Sequence, residues 1–356
     1  MKDYIIIGGG QSGLAIAYYL HKRKANYLIV DANSETGEPW LKRWDSLKLF
    51  TPSEFNNLPG MDFPHDKGHY ADKYEVATYL KAYVSKFNIP IEFNHKITSL
   101  KKEKGVFILT SEGKNFEAKN VIIATGPFHK PFTPSCHTKI SKDIIQIHSE
   151  YYKSPDQLQE GPTLVVGAGD SGVQILNEIS QTEKAVYFSG NTNIISIPQE
   201  ILGKTLWWWF HKIGFLTAHK YSWIGHKLSK AGQPVIGTKA KTLFKKKNVT
   251  CVGRTLDANE QTITFEKQKT ADIKNIVWAT GFKPNFSWID GLELDEDHYP
   301  KNYRGVSDID GLYFLGLPWL YTRGSATLGG VKKDALYLMK YISQKNKKTD
   351  TFASVL

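Results

Sequence analysis

An α/β fold with two similar parallel-sheet domains, the second inserted into the first, is predicted by three observations. An apolar run at residues 4–7 leads directly into Gly8-Gly9-Gly10-Gln11-Ser12-Gly13 and a helix-patterned segment. The same order of strand, glycine turn and helix returns at residues 163–179. A buried strand that ends in Ala-Thr-Gly also occurs twice, at Ala124 and at Ala279. Such strands are typical of parallel sheets, and the glycine spacing is typical of Rossmann-like dinucleotide-binding domains.

The first glycine turn has the spacing of a dinucleotide-binding fingerprint. Gly8 permits a sharp turn, Gly10 permits the backbone to approach a pyrophosphate, and Gly13 lets helix and strand pack closely. The following helix offers the positive end of its dipole to the phosphates. Asp31 ends the next predicted strand, where a carboxylate accepts hydrogen bonds from ribose hydroxyls.

Two fingerprints predict two dinucleotide ligands, and the natural pair in an oxidoreductase is FAD with NADH or NADPH. The carboxylate of Asp31 assigns the first site to FAD. Gly190 stands 23 positions after Gly167, as Asp31 does after Gly8, so the second site lacks a ribose carboxylate. Residues 185–203 also contain no Lys or Arg that would clamp a 2′-phosphate. We therefore expect weak discrimination between the two nicotinamide cofactors, or a lean to NADH.

The domain boundaries follow from this repeat. Residues 1–155 are predicted to form the first part of the FAD-binding domain, 160–278 the NAD(P)-binding domain, and 279–356 the second part of the FAD-binding domain. A polar stretch at 149–162, with Ser154-Pro155 and Gly161, is interpreted as the linker. The two Ala-Thr-Gly turns mark the places where the chain passes from one domain to the other.

Composition limits the other possibilities. The chain has 356 residues, 41% of them hydrophobic, and a net charge of +11 from scattered lysines, which favours a solvated basic surface over nucleic-acid binding. Cys136 and Cys251 form no CxxC, so neither a redox dithiol nor a metal site is predicted. The first strand begins by residue 4 and no apolar run reaches the length of a membrane span, so we expect a cytoplasmic protein.

Two aromatic segments remain. The loop at 32–64 carries Trp40 and Trp44, which either cover a bound cofactor or pack in the core. The tract at 204–216 contains three consecutive tryptophans. An amphipathic helix on a membrane surface is one interpretation, but consecutive tryptophans point all around a helix. They favour a segment wedged between domains or subunits, and a homodimer is therefore an expectation.

Together these motifs resemble the flavin-containing monooxygenases, which are class B flavoprotein monooxygenases, and in particular their short bacterial branch of cation-efflux-associated flavoproteins. The likeness covers nearly the whole chain and rests on both glycine turns, both Ala-Thr-Gly turns and the segments 40–59 and 311–330. The identifying motif FxGxxxHxxxY/F is present only in part, because His148 and Tyr152 match whereas Lys142 and Ile144 replace its Phe and Gly.

The resemblance implies an FAD-dependent monooxygenase that oxidises NAD(P)H. Through a C4a-(hydro)peroxyflavin it would use O₂ to oxygenate a small soft nucleophile, a sulfide or amine, or a ketone. Larger members carry an asparagine near the reactive flavin carbon where this chain has Phe50, which implies uncoupled release of hydrogen peroxide. The alternatives are an NAD(P)H oxidase or flavin reductase without oxygen transfer, and a non-enzymatic FAD-binding accessory protein for redox sensing or metal resistance.

The predicted site residues fall into three sets. Those expected to bind FAD are Gly8, Gly10, Gln11, Ser12, Gly13, Asp31, Ala32, Glu38, Trp40, Arg43, Leu47, Thr51, Ile97, Ala124, Thr125, Gly126, Gly316, Ala326, Thr327 and Leu328. Those expected to bind NAD(P) are Gly167, Gly169, Asp170, Ser171, Gly172, Ser189, Gly190, Asn191, Thr192, Ala279, Thr280 and Gly281. The candidate substrate-site wall consists of Phe50, Thr51, Trp319 and Arg323. No acid–base triad is found, no metal ligands are predicted, and His148 is interpreted as a structural linker residue.

Overall fold

A computed structural model describes residues 1–230, 234–267, 269–270 and 272–353 of the chain. Residues 354–356, the end of the predicted second part of the FAD-binding domain, lie outside this description, as do positions 231–233, 268 and 271 within the predicted NAD(P)-binding domain.

The first part of the chain builds a mixed sheet. Its strands are β1 (Lys2–Ile7), β2 (Tyr27–Val30), β3 (Ile91–Glu92), β4 (Ile97–Glu103), β5 (Val106–Ser111) and β6 (Lys114–Ile123), with a short β7 (Lys130–Pro131) after them. Its helices are α1 (Gln11–Lys22), α2 (Glu38–Leu41) and α3 (Lys73–Phe87). The spatial order is β3-β2-β1-β6-β5-β4. Strands β1, β2 and β3 run parallel to one another and to the end of β6, whereas β4, β5 and the start of β6 form an antiparallel meander.

The middle of the chain builds a second, fully parallel sheet of order β15-β10-β9-β19-β8. The strands of this region are β8 (Ile145–His148), β9 (Thr163–Val166), β10 (Val186–Ser189), β11 (Ser196–Ile197), β12 (Glu200–Ile201), β13 (Lys204–Thr205), β14 (Val235–Ile236), β15 (Val249–Gly253), β16 (Thr255–Asn259), β17 (Thr262–Phe265), β18 (Lys269–Thr270) and β19 (Asn275–Trp278). Its helices are α4 (Asp170–Ile179), α5 (Leu206–Lys212), α6 (Trp223–Lys230) and α7 (Ala240–Leu243).

Strand β8 precedes the predicted linker, yet it pairs with β19 at the edge of the second sheet. The chain therefore enters the second sheet before residue 145, and the predicted boundary at 155–160 differs from the sheet membership here. The physical reason is that β8 gains its hydrogen-bonding partner from β19, more than a hundred positions along the chain, which no local pattern reveals.

The end of the chain returns to the first sheet. Strand β20 (Phe282–Lys283) pairs with β7, and β21 (Leu312–Phe314) pairs parallel to β6. Helix α8 (Val331–Ala353) then packs against α1. The predicted fold class, with the second dinucleotide-binding unit inserted into the first, is confirmed. Among the helices of the described ranges, none combines the length and apolar character that a membrane crossing requires.

The aromatic tract lies between the two units. Trp207 of α5 is 8% exposed and belongs to a small cluster with Leu206 and Ile236. The Phe50 ring of the first unit meets Trp207 edge to face at 5.9 Å, and Phe55 packs on the same cluster. The tract is thus wedged between domains on this side, as the sequence analysis favoured.

Candidate functional site

The first glycine turn has the geometry that a pyrophosphate requires. Gly8 has φ +106°, and a Cβ there would lie 2.6 Å from the carbonyl oxygen of Ala124. A Cβ on Gly13 would lie 1.9 Å from the carbonyl oxygen of Gly8, so α1 packs closely on the strand. A Cβ on Gly10 would meet no atom within 4 Å, and Gly10 is the N-cap residue of α1, which has no side-chain cap. An open space at an uncapped helix start fits the pyrophosphate of a dinucleotide.

Asp31 is 7% exposed and lies beside this turn. Its Oδ1 accepts hydrogen bonds from the backbone N–H and the side-chain amide of Asn33, both at 2.7 Å. Its Oδ2 accepts the backbone N–H of Gly9. A carboxylate has about four acceptor positions, so one remains for a ribose hydroxyl in this arrangement. The neighbouring Ala32 is exposed.

The C-terminal segment reaches the first turn at Gly316. This glycine follows β21, has φ +79°, and a Cβ on it would lie 2.1 Å from Ser12 Oγ. Trp319 has φ +52°, which is rare for a bulky residue and typical of strained backbone at functional sites. Arg323 then opens a 3₁₀ turn, Arg323–Ala326, that a capping box between Thr322 and the fully buried Ser325 holds in place.

The second glycine turn repeats the first. Gly167 has φ +127° and a Cβ there would lie 2.1 Å from the carbonyl oxygen of Ala279, while a Cβ on Gly172 would lie 2.0 Å from that of Gly167. Gly169 faces open space and is the N-cap residue of α4, which has no side-chain cap. This turn therefore fits a second dinucleotide pyrophosphate for the same physical reasons.

The first residue of α4 connects this turn to the C-terminal segment. Burial raises the pKa of Asp170, while the N–H of Ile236 and the charge of Arg323 act in the opposite direction. Burial lowers the pKa of Arg323, and the Asp170 carboxylate opposes that effect. The segment 316–323 therefore touches Ser12 at the first turn and interacts electrostatically with Asp170 at the second.

The two candidate wall residues of the first unit, Phe50 and Thr51, contact different parts of the protein. The Phe50 ring packs against Trp207, as described above. Thr51 is 5% exposed, and its hydroxyl donates to the side-chain oxygen of Asn56 at 2.6 Å. Asn56 is fully buried and donates back to the Thr51 carbonyl at 3.1 Å. The Thr51 hydroxyl thus stabilises its own loop, and Phe50 contributes an apolar surface between the units.

Each Ala-Thr-Gly turn is held by a histidine, His129 at the first and the buried His148 at the second. The backbone N–H of Asn285 donates to His129 Nδ1 at 2.8 Å, so Nε2 carries the proton and donates to the Thr125 hydroxyl at 3.1 Å. His148 Nδ1 accepts the N–H of Glu150 at 3.1 Å, and its Nε2 donates to the Gly281 carbonyl at 3.0 Å. Burial lowers the pKa of both imidazoles. Because both of its nitrogens are engaged, His148 suits the structural role that the sequence analysis gave it.

Several residues predicted to bind FAD have protein partners in the structure. Arg43 pairs with Glu150 at 2.9 Å and lies over the Phe128 ring. A hydrogen bond from Lys42, together with those from Ser34, lowers the pKa of Glu38 to about 2 against the effect of burial. Other predicted residues pack in the hydrophobic cores, among them Trp40, Leu47, Ile97 and Leu328. Their contact with FAD stays a prediction.

On the NAD(P) side, the residues after β10 lie at one sheet edge. The Ser189 hydroxyl is 2.7 Å from the Thr255 hydroxyl, and the N–H of Gly190 donates to the Gly253 carbonyl at 3.0 Å. Asn191 Oδ1 accepts the N–H of Asn193 at 2.8 Å. These contacts keep the carboxyl end of β10 next to that of β15.

Sequence reasoning missed two residues near these sites. Arg254 follows β15 and so lies at the strand end next to Gly190, with Glu266 4.0 Å from its guanidinium. Lys73 is 2% exposed, and its ammonium donates to Asp45 at 2.6 Å. Only the pairing of β10 with β15 relates Arg254 to the second site, so the linear sequence held no signal for it. Lys73 lies on the buried face of α3, where a lysine needs a partner to be stable.

The chain matches the pyridine nucleotide-disulphide oxidoreductase family over residues 5–204. It is 42% identical over 341 residues to the CzcO-like uncharacterized oxidoreductase of Geobacillus kaustophilus (strain HTA426). That alignment covers 96% of this chain and 98% of the relative. It is 41% identical over 345 residues to an uncharacterized oxidoreductase CzcO of Bacillus subtilis (strain 168), covering 96% and 99%. The solved structure of a flavin-containing monooxygenase from Stenotrophomonas maltophilia has a similar fold, with a TM-score of 0.79 at 23% sequence identity. The match covers 97% of this chain and 98% of that one.

These matches agree with the two dinucleotide sites and confirm that the protein is an oxidoreductase with the predicted cofactor pair, FAD with NAD(P)H. The expected homodimer and cytoplasmic location stay predictions. The chain belongs to the pyridine nucleotide-disulphide oxidoreductase family and, within it, groups with the CzcO-like oxidoreductases.

Proposed function

We propose that this protein oxidises NADH or NADPH and uses O₂ to oxygenate a small soft nucleophile, a sulfide or amine, or a ketone. The observation that supports this most is the course of the segment 316–323. It contacts Ser12 at the first glycine turn and interacts with Asp170 at the second. If one dinucleotide binds at each turn, the nicotinamide and flavin rings would share one cleft, as hydride transfer requires.

The chain's own residues bind and orient the two cofactors. The uncapped starts of α1 and α4 would hold the pyrophosphates, and Asp31 would hold one ribose hydroxyl of FAD. The flavin, when bound, supplies the hydride acceptance and the reaction with O₂. No acid–base triad is needed for that division of labour.

Apolar side chains between the units would keep water out of the cleft. Phe50 and Trp207 meet across the domain boundary, and Phe55 adds to the same surface. Exclusion of water strengthens the electrostatic interactions inside a site. The partly buried Arg323 would then favour negative charge in the cleft, and the apolar surface favours a small apolar substrate.

Phe50 also favours one rival activity. Its ring cannot donate a hydrogen bond where larger family members have an amide, so oxygen activated in the cleft is less well stabilised. An NAD(P)H oxidase that releases hydrogen peroxide is the alternative that this observation supports.

Product stoichiometry separates these activities. FAD-loaded protein would be given NADPH or NADH, O₂ and either a methyl aryl sulfide, a tertiary amine or a cyclic ketone, with NAD(P)H, hydrogen peroxide and oxygenated product all quantified. The proposal expects product from at least one substrate class. If the hydrogen peroxide formed equals the NAD(P)H consumed and no substrate class gives product, the protein is an oxidase instead. If no NAD(P)H is consumed, the hypothesis of a non-enzymatic accessory protein is favoured.

Phe50 variants sharpen the same assay. Phe50→Asn places an amide at this position and is expected to raise the share of NAD(P)H that yields product. Phe50→Leu keeps the position apolar and serves as the matched control, with an unchanged share. An equal rise in both variants would assign the effect to the loss of the ring rather than to the amide.

A further inference from the structure

Two histidines and a glutamate meet at the start of α3. His65 Nε2 lies 3.1 Å from Glu75 Oε1, and His69 Nε2 lies 3.0 Å from both oxygens of the same carboxylate. The potential ligand atoms of the three residues all lie within 4.8 Å of one another. The two imidazole rings are 4.4 Å apart, so they reach the carboxylate from the same side of the loop.

The local structure holds Glu75 and the backbone of His69 in position. Asp72 caps the start of α3: its side chain accepts the N–H of Glu75 at 2.9 Å, and its own N–H donates to Glu75 Oε2 at 2.8 Å. The carbonyl of His69 accepts both the backbone N–H and the hydroxyl of the fully buried Ser53, at 2.8 and 3.0 Å. A site whose groups are fixed by such supporting hydrogen bonds is preorganised for a ligand.

The charges around the cluster fit a cation. Among the ion pairs of the residues that the structure describes, Glu75 pairs only with His65 and His69, so no Lys or Arg neutralises its carboxylate. Lys73, the lysine nearest to Glu75 in the sequence, directs its ammonium to Asp45 instead. The side chains of the three cluster residues are 33%, 38% and 27% exposed, which leaves room for water as a further ligand.

We propose that His65, His69 and Glu75 bind one divalent transition-metal ion of the Zn²⁺ type, with water completing the coordination. Two imidazole nitrogens, one carboxylate oxygen and a water form a common tetrahedral zinc set. Bonds of about 2.0–2.1 Å in a tetrahedron place ligand atoms roughly 3.3 Å apart, close to the 3.0 and 3.1 Å between each imidazole nitrogen and the Glu75 carboxylate. Ca²⁺ and Mg²⁺ prefer all-oxygen ligands, so imidazoles disfavour them.

The lack of a CxxC pair in the sequence argued against metal ligands, but histidine and carboxylate ligands need no cysteine. The signal was His65 and His69 four positions apart with Glu75 in the following helical turn. This spacing becomes a cluster only when the loop folds back on the first turn of α3.

The experiment uses untagged, FAD-loaded, full-length protein after treatment with a chelator. Co²⁺ is titrated first, because tetrahedral Co²⁺ absorbs at longer wavelengths than the flavin. Zn²⁺ affinity is then measured by competition with a chelating indicator. The expected result is one equivalent of metal per chain, with Co²⁺ in a tetrahedral environment and displaced by Zn²⁺.

Single-residue variants test the ligand set. His65→Gln, His69→Gln and Glu75→Gln should each weaken Zn²⁺ binding roughly tenfold or more, since changes to supporting residues alone cost about 10–100-fold. The control is His226→Gln, an exposed histidine on α6 that should leave binding unchanged. In Glu75→Gln the amide oxygen can still accept the Asp72 N–H, and the flavin absorbance and Tm of every variant report on its folding.

Three outcomes would overturn the proposal. The first is less than one equivalent of bound metal in the wild-type protein. The second is equal Zn²⁺ affinity in the three ligand variants and the wild type, and the third is an equal loss in His226→Gln. A well-folded ligand variant that loses the Co²⁺ spectrum supports it.

Discussion

The contact between Gly316 and Ser12 predicts how strongly the C-terminal segment controls FAD binding. In Gly316→Ala the new Cβ would lie 2.1 Å from Ser12 Oγ and 2.9 Å from Ser12 Cβ. Rotation of the serine side chain can move Oγ but not Cβ, so the start of α1 or the segment itself must shift. The positive φ costs about 1–2 kcal/mol for a residue with a Cβ, and overpacking costs about 1–3 kcal/mol more.

Part of that cost should weaken FAD binding, because the displaced end of α1 is where the pyrophosphate is expected. A share of about 2 kcal/mol corresponds to a roughly 30-fold higher Kd. The assay is FAD titration of the apoprotein by flavin fluorescence, together with Tm. Gly105→Ala is the matched control, because Gly105 has φ +84° and open space around it. It should lower Tm through the backbone cost and leave the FAD Kd unchanged.

A second change distinguishes the steric effect from a direct effect of Gly316 on the flavin. Ser12→Gly removes both contacting atoms, so the double variant Ser12→Gly/Gly316→Ala should recover most of the lost affinity relative to Ser12→Gly alone. The reasoning is refuted if Gly316→Ala binds FAD as tightly as the wild type, or if removing the Ser12 side chain restores nothing.

Three further predictions concern cofactor choice and stability. Arg254→Gln should raise the KM for NADPH about tenfold while leaving that for NADH nearly unchanged, and Glu266→Gln should shift the preference the opposite way, as steady-state kinetics with both cofactors would show. Lys73→Met removes the ammonium that donates to Asp45 and to the carbonyls of Leu41 and Arg43, to which Lys153 still donates at 3.3 and 3.5 Å. In urea unfolding this change should cost about 1–3 kcal/mol, whereas the exposed Lys81→Met should cost less than about 1 kcal/mol. Burial lowers the pKa of His148 in the folded protein, so on acidification the unfolded chain protonates this imidazole at a higher pH than the folded chain does. The stability that the neutral His148 contributes should be complete above its ordinary pKa of 6.5 and fall as pH drops below that value. Urea unfolding at several pH values should therefore show that His148→Asn loses less stability on acidification than the wild type does.

The sequence could predict the features that depend on neighbours along the chain. The Gly8 turn is encoded by an apolar strand, three glycines and a helix within about twenty residues, because the strand must be buried and only glycine fits beneath Ala124. The same holds for the turn at Gly167, and the lack of a carboxylate at Gly190 follows from counting alone. Asp31 lies at the predicted turn, although two of its acceptor positions already serve Asn33.

Features created by distant pairing could not be predicted. Arg254 approaches Gly190 only because β15 pairs with β10. Arg43 was predicted to bind FAD, but its nearest carboxylate is Glu150, brought close by the passage of the chain into the second sheet. The buried Lys73 likewise acquires its role from a loop almost thirty residues away. In each case the partner of the side chain comes from a distant segment, so the neighbouring sequence does not indicate what the residue binds.

The opposed charges at Arg254 and Glu266 bear on the expected weak discrimination between NADH and NADPH. That expectation rested on the absence of Lys or Arg in residues 185–203, which treats the segment after β10 as the whole 2′-phosphate environment. The adjacent strand adds a guanidinium that attracts a phosphate, and Glu266 Oε1 lies 4.0 Å from it. A carboxylate at that distance offsets much of the attraction in a largely exposed site, where screening is strong. The expected weak discrimination would then result from a near balance of two charges rather than from the lack of any, so neutralising either residue would move the preference in a known direction.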